Sequence, residues 1–483
     1  MTSQSHAIHL TAKDAEMATN GKLINGQKWT ASGFSIDTRT LQEGDIFIAL
    51  QGETGRDGHD FVAQAFEKGA AAAVVSRKID TDHPLLLVED TLAGLQALGR
   101  AARENFGGLA VGVTGSVGKT GTKEMLAACF SEFGQTHAAE GSFNNHIGVP
   151  LTLASIQHGT DIGVFEMGMN HAGEIGPLSR MVQPDIAIIT TVEAVHIENF
   201  DNVEGIADAK AEIFEGMDSD GIAILNHDNP HLPRLKAAAK TQGLSKIYTF
   251  GAGEGADARM TNVIDAANGL RMEADILGEK VVCTLQMSGA HNAMNALSVL
   301  LSAKLAGYDA QKAAKALEKI TPIAGRGKRE YLDYGDSDNP VTLIDESYNA
   351  SPVAMKAAFK VLALIDPGRG GRRIAVLGDM LELGNKSAQY HQDLALPLQA
   401  ANIDFVYTCG SMMKHLHQNL PQDMGKEHKE TSSELAEIIP DAIVPGDVVM
   451  VKGSLGSQMK VVVEALRAFP DKHGKSGAGK AAN

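Results

Sequence analysis

Short runs of consecutive apolar residues recur along the chain, each stopped by a glycine or a polar residue and followed by a stretch with helical spacing. They lie at 109–113, 162–165, 186–189, 222–225, 341–344, 374–377 and 448–451. A strand buried on both faces reads as a continuous apolar run, and parallel strands need a crossover helix between them. The pattern therefore predicts an α/β chain with mostly parallel sheets. The stretch 257–287 differs: LRMEADI and KVVCTLQM alternate, which predicts a few antiparallel strands inside or beside the middle of the chain, followed by a helix over 292–306. Ligands of open parallel sheets sit beyond the carboxyl ends of the strands. Glu166, Asn226, Asp345, Asp379 and Lys452 fall at those ends. A polar residue there often only begins a loop; it is the set together that points to a site.

Composition divides the chain. Residues 1–107 form a small α/β unit containing GDIFIALQG and GAAAAVV, and 108–322 form a central unit opened by a glycine-rich loop. The Gly- and basic-rich run TPIAGRGKRE reads as a linker into a third α/β unit over 323–471, and the Gly/Lys/Ala-rich tail 472–483 is expected to be disordered. Apolar residues make up 43% of the 483, enough for each unit to bury a core. The net charge of −16 repels phosphate backbones, so nucleic acid is excluded as an expected partner while a locally held nucleotide is not. The cysteines, Cys129, Cys283 and Cys409, are odd in number and far apart, which favours a reducing, cytoplasmic setting over a disulfide framework or zinc site. The amino terminus lacks a charged-then-apolar leader, and no apolar run reaches the ~18 residues that cross a bilayer.

The sharpest local signal is VGVTGSVGKTGT at 111–122. An apolar strand runs into Gly115-Ser116-Val117-Gly118-Lys119-Thr120, with Gly121 and Thr122 entering a helix. Glycines let backbone N–H groups turn toward a phosphate, and the helix start adds positive potential. Lys119 would reach the β- and γ-phosphates, and Thr120 would place its hydroxyl on Mg2+. Val113 stands where the strict pattern has glycine, so the loop is a variant of the ATP-binding form. Such a loop serves motors, switches, kinases and ligases alike.

Three further residues lie near strand ends. Glu166 with Thr120 and phosphate oxygens would suit Mg2+. His196 is an unusual Mg2+ ligand, and alone reads as a structural loop histidine; Lys210 alone reads as a solvated helix lysine.

Together these motifs resemble the Mur ligase family, which builds the peptide of bacterial cell-wall precursors, over nearly the whole chain except the tail. TGSVGKTGTKEM is similar to the family's ATP loop, and SFNNHIGVP to its N-N-x-x-G-x-P segment, with Asn144, Asn145, Gly148 and Pro150. The resemblance implies ATP and a pair of Mg2+ ions, with Glu166 as the metal carboxylate, His196 beside the metal, and Lys210 as the lysine that CO2 carbamylates. His291, Asn292 and Asn295 in GAHNAMNAL match the adenine segment; the two asparagines share a helix face and could both present amides to one base edge. Arg326 matches the hinge arginine that meets the phosphates, Asp345 the ribose-side motif, and Lys452, in the family's VMVKGS segment, would join Tyr348 and Asn349 as a substrate contact, although Leu455 stands where an arginine is expected.

The first unit, with SIDTR and GDIFIALQGETGRDGHDF, is similar to the uridine-nucleotide domain of the later ligases, so Ser35, Asp37, Arg39, Asp57, Gly58 and His59 would contact or shape a UDP-sugar site. The third unit lacks the Asp-Asn-Pro-Arg motif of the tripeptide-forming enzymes. Its SYNASP, with Tyr348, Asn349 and the variant Ser351, and its GDMLELG are similar to the branch that adds D-alanyl-D-alanine to UDP-N-acetylmuramoyl-tripeptide. The implied architecture is a UDP-binding α/β domain, a central P-loop ATPase domain and a Rossmann-like carboxyl-terminal domain, acting as a monomer. Alternatives are a sister ligase adding one amino acid, a folate polyglutamate ligase, a P-loop ATPase switch without ligation, and a non-catalytic UDP-sugar-binding protein.

Overall fold

The apolar runs form strands because both of their faces are covered. In the computed structural model, which describes residues 8–26, 28–52 and 55–473, the strand Leu109–Thr114 sends Val111 and Val113 to one side, against Met125 and Leu126. Its neighbours Ile186–Ile189 and Ile222–Asn226 send Ala187, Ile189 and Leu225 to the other, into a core with Ile206 and Phe214. All of these side chains are essentially inaccessible, and burial of this extent is the main force holding the sheet.

The central sheet has nine strands, in the order Glu279–Leu285, Gly269–Ile276, Ala258–Ala266, Lys246–Gly251, Ile222–Asn226, Ile186–Ile189, Leu109–Thr114, Ile162–Glu166 and Thr136–Ala138. The pairings from Ala258–Ala266 through to Thr136–Ala138 are parallel. The alternating stretch continues this same sheet as an antiparallel extension, and the helix Ala290–Leu305 crosses back over it with Leu297 and Leu301 fully buried. The phosphate loop thus emerges from an interior strand, flanked by Ile186–Ile189 and Ile162–Glu166.

A five-stranded sheet precedes it, ordered Lys22–Ile24, Leu85–Leu87, Ala72–Val75, Asp45–Ile48, Gly33–Ser35. A six-stranded sheet follows, ordered Lys328–Leu332, Val341–Glu346, Val448–Lys452, Arg373–Gly378, Phe405–Cys409, Gly425–Lys429, parallel except for its first pair. The segment read as a linker therefore gives its last residues, from Lys328, to the edge strand of this sheet. The last helix, Lys460–His473, runs two residues into the stretch expected to form a tail; residues 474–483 of that stretch lie outside the described residues. Among the described residues no helix is long and apolar enough to cross a membrane.

Candidate active site

Leu109–Thr114 delivers its chain into the loop at the carboxyl edge of the central sheet, and the helix Lys119–Phe130 begins at once. Gly115 and Gly118 have φ of +145° and +88°, where a side chain is strained, and a Cβ on them would fall 1.9 Å from Thr190 Oγ1 and 2.8 Å from Asn295 Oδ1. The loop is laced to the next strand end: Thr190 Oγ1 donates to the Val117 carbonyl at 2.6 Å, and Ser116 Oγ donates to the Glu193 carbonyl at 3.0 Å while accepting from its N–H at 2.9 Å. Lys119 folds back over the loop, its ammonium donating to the Gly115 carbonyl at 2.7 Å. Thr120 and Thr122 are buried at the helix start.

The same point gathers residues far apart in sequence. Thr120 Oγ1 and Ser142 Oγ share a hydrogen bond of 2.9 Å. Arg326 donates to Ser142 Oγ at 3.3 Å and lies 4.2 Å over the Tyr348 ring. Glu166, 4% exposed, accepts from the Asn144 amide at 2.7 Å through Oε1, while its buried Oε2 has no hydrogen-bond partner. Lys210 is 1% exposed on the helix Val203–Ala211. His196, at a φ of +60°, pairs through Nδ1 with Glu382 of the third sheet's loops.

The charges of these groups act on one another. Burial holds the Lys119 ammonium below lysine's usual pKa, Glu166 opposes the shift and Arg326 adds to it. Lys210 is held well below the usual range, first by burial and then by Lys119, with Glu212 and Glu174 pulling the other way. His196 is lowered by burial, partly offset by Glu382, with Lys119 and Lys210 adding to the lowering.

Among the described residues no cluster of three or more His, Cys, Asp or Glu is gathered to hold a metal. The donors at this point are instead one carboxylate oxygen left unpaired in the interior and a pair of hydroxyls. That set fits Mg2+, a hard cation that keeps waters and completes its shell with phosphate oxygens.

The other expected residues take varied places. Asn145 caps the turn into Gly148–Ala154, its Oδ1 accepting from Ile147 and Gly148. The asparagine pair does not present two free amides to one edge: Asn292 donates to the Ser288 carbonyl at 2.8 Å, whereas Asn295 packs on Gly118 and Gly121. His291 is exposed at the start of the same helix. Asp345 is buried, accepting from the Ser347 hydroxyl at 2.6 Å and from Arg467 at 3.3 Å. The ammonium of Lys452 is buried, donating to Glu346 at 2.9 Å and to the Asn349 carbonyl at 3.0 Å. In the first unit, Ser35 and Asp37 build a turn, and Arg39 pairs with Asp37. Asp57 is drawn down to about 2, chiefly by the His59 N–H. His59 is buried with Nδ1 on Asp57 and Nε2 accepting from the Ser76 N–H at 2.9 Å, and Gly58 N–H donates to the Leu50 carbonyl.

Three models of one family match this chain: the Mur ligase family catalytic domain over 30–104, the Mur ligase middle domain over 113–303, and the Mur ligase glutamate ligase domain over 332–455. The chain belongs to the Mur ligase family. Its relatives include the UDP-N-acetylmuramoyl-tripeptide–D-alanyl-D-alanine ligase of Bacillus subtilis, 33% identical over 96% of this chain and 99% of that protein. A crystal structure of MurF from Acinetobacter baumannii superposes with a TM-score of 0.83 at 30% identity, covering 95% of this chain and 99% of that one. MurF from Thermotoga maritima in complex with ADP superposes with a TM-score of 0.75 at 27% identity, over 91% and 98%.

Within this Mur ligase, sequence reasoning missed Ser142, Lys123 and Glu382. Ser142 directly precedes the FNN segment and was there to be found. Lys123 lies one turn beyond Lys119, fully buried, and holds the Ser142 loop through the carbonyls of Ala139 and Gly141 at 2.5 and 3.0 Å. Glu382 is separated from His196 by 186 residues, and no local spacing marks the pair.

Proposed function

We propose that this chain is an ATP-dependent ligase that adds D-alanyl-D-alanine to UDP-N-acetylmuramoyl-tripeptide, giving the UDP-linked pentapeptide used in peptidoglycan synthesis. The observation that carries the reading is the joining of nucleotide loop and third unit at one point: Thr120, Ser142, Arg326 and Tyr348 form an unbroken chain of contacts. A ligase must bring an activated acid and an amine to the same place, whereas an ATPase switch has no need of a second substrate there.

In the mechanism that follows, the terminal carboxylate of the tripeptide attacks the γ-phosphorus of ATP. ADP leaves, and an acyl phosphate is formed. Little covalent work falls to the protein in phosphoryl transfer, so positioning and charge neutralisation dominate. Lys119 and Arg326 supply fixed positive charge over the phosphates. Thr120 and Glu166, with Ser142, His196 and Lys210 beside them, would hold Mg2+, which would supply positive charge to offset that of the phosphates. The unprotonated amine of the dipeptide then attacks the acyl carbon, and phosphate and a proton depart as the amide forms. The third unit over the site excludes water that would hydrolyse the acyl phosphate.

Lys210 is read as the carbamylated lysine. Burial and the neighbouring Lys119 favour its neutral amine, and a neutral amine adds CO2 with loss of a proton to give a carbamate anion. That anion would sit well near a divalent cation, where an ammonium would be repelled. Ser35, Asp37, Arg39 and the Asp57–His59 turn are read as shaping the UDP-sugar site, Asn295 and His291 as bordering the nucleotide, and the three sheets as the three domains. A cytoplasmic monomer fits the substrates.

The test is phosphate release from Mg2+-ATP with UDP-N-acetylmuramoyl-tripeptide, with and without D-alanyl-D-alanine. Release that needs both, with a UDP-linked pentapeptide by mass, is the expected result. Release indifferent to both would make the chain an ATPase switch, and preference for a single amino acid would make it a sister ligase.

A further inference from the structure

The GDMLELG loop enters no step above, yet it makes a direct side-chain bond to the nucleotide site. Its backbone is tied firmly into the third unit. Met380 N–H donates to His391 Nε2 at 2.9 Å, Leu381 N–H donates to Ser454 Oγ at 3.0 Å, and Met380 and Leu383 are buried. Between these anchors Glu382 adopts a φ of +61° and points out of its own unit, pairing with His196 Nδ1. Two residues on, Gly384 lies so close to the central unit that a Cβ would fall 3.3 Å from Glu198 Cα. His196 has its own left-handed backbone, with a φ of +60°. Two loops, each in a conformation that ordinary residues avoid, meet here through a carboxylate and an imidazole.

The chemistry of the pair gives it a direction. A carboxylate accepts, so Nδ1 is the nitrogen that carries the proton, and the neutral ring is left with its lone pair on Nε2. A carboxylate on one ring nitrogen is the usual means of setting the orientation of a histidine and the basicity of its other nitrogen. Here the carboxylate comes from a different unit, so it is in place only while the third unit is seated against the central one.

We infer that Glu382 is a positioning residue by which the seated third unit orients His196 at the nucleotide site. The unit that carries the SYNASP loop thereby reports its closure to the centre that activates the carboxylate, and acyl phosphate forms efficiently only once that centre is covered. This inference rests on the ligase reading above.

The test uses the full chain with Glu382→Ala, Glu382→Gln, His196→Ala and the double variant. In each, dyes on Lys240→Cys and Gln422→Cys, both exposed and in different units, report closure by energy transfer on adding a non-hydrolysable ATP analogue. The native thiols are buried and leave the labels specific. Expected for Glu382→Ala is a kcat about 10- to 100-fold lower with KM for ATP little changed, a smaller closed population, and no further loss on adding His196→Ala. Glu382→Gln, whose amide oxygen still accepts from Nδ1, recovers part of both. Unchanged closure and kcat in Glu382→Ala, or losses that multiply in the double variant, would overturn the inference. A wild-type chain that closes but makes no pentapeptide would overturn the ligase reading instead, while the closure readout still decides the role of Glu382.

Discussion

Replacing Lys452 with methionine separates two roles for a residue that the sequence places among substrate contacts. The Lys452 side chain is only 4% exposed and that of its partner Glu346 is 25% exposed, with the ammonium also holding the Asn349 carbonyl. Removing one member of a buried pair costs about 3–5 kcal/mol, because the other charge is left without compensation. Glu346 keeps a quarter of its surface in water, which lowers the figure to roughly 2–3 kcal/mol. The three sheets need not unfold together, so a local readout is required: hydrogen exchange of the amides of Val448–Lys452, followed by mass spectrometry. At about 1.4 kcal/mol per factor of ten, protection should fall by roughly 30- to 150-fold. A Lys452→Met/Glu346→Leu double variant, with neither charge present, should regain most of it. Wild-type protection combined with a raised KM for D-alanyl-D-alanine would refute the reasoning and make Lys452 a substrate contact.

Lys119→Ala should lower kcat by at least about a hundredfold with circular dichroism unchanged, and near-normal turnover would remove Lys119 from the phosphate site. Lys210→Ala should be inactive and partly restored by short carboxylic acids, and wild-type enzyme given carbon-13-labelled CO2 should show a carbamate resonance that the variant lacks; an active wild type with no such resonance would end the carbamate reading. Burial pushes the thiols of Cys129, Cys283 and Cys409 up to about 12, so a disulfide reagent at mildly alkaline pH should find them unreactive until the chain is unfolded. The same shifts set a sign: from about pH 9 upward the unfolded chain loses thiol protons that the folded chain keeps, so stability falls with rising pH by up to roughly 1.4 kcal/mol per unit per thiol. An alkaline stability that does not change when the cysteines are replaced by alanine would contradict it.

Much of the framework was legible because burial on both faces leaves a local mark. The runs at 109–113, 186–189 and 448–451 read as parallel strands, and they are strands of parallel pairings. The phosphate loop was legible for a similar reason: its glycines, lysine and threonine act within a dozen consecutive residues. Side-chain roles were less so. SIDTR is read as part of a UDP-sugar site, but nothing local in it shows that Asp37 and Arg39 pair with each other. Asn292 and Asn295 share a helix face in sequence, yet the Asn292 amide turns back to the carbonyl of Ser288 four residues before it, while Asn295, a turn further along, meets the phosphate loop.

By itself, then, the sequence determined which segments become strands and helices, where the nucleotide loop begins, and which family's motifs the chain carries; all of these depend on residues a few positions apart. Only the tertiary structure decided that Ser142 bridges Thr120 and Arg326, that Lys452 braces a loop from inside the third unit, and that Glu382 reaches His196 across 186 residues of chain. Those contacts depend on how whole sheets are placed against one another. That placement is set by the summed burial of many side chains and by no motif of its own, so nothing local in the sequence marks it.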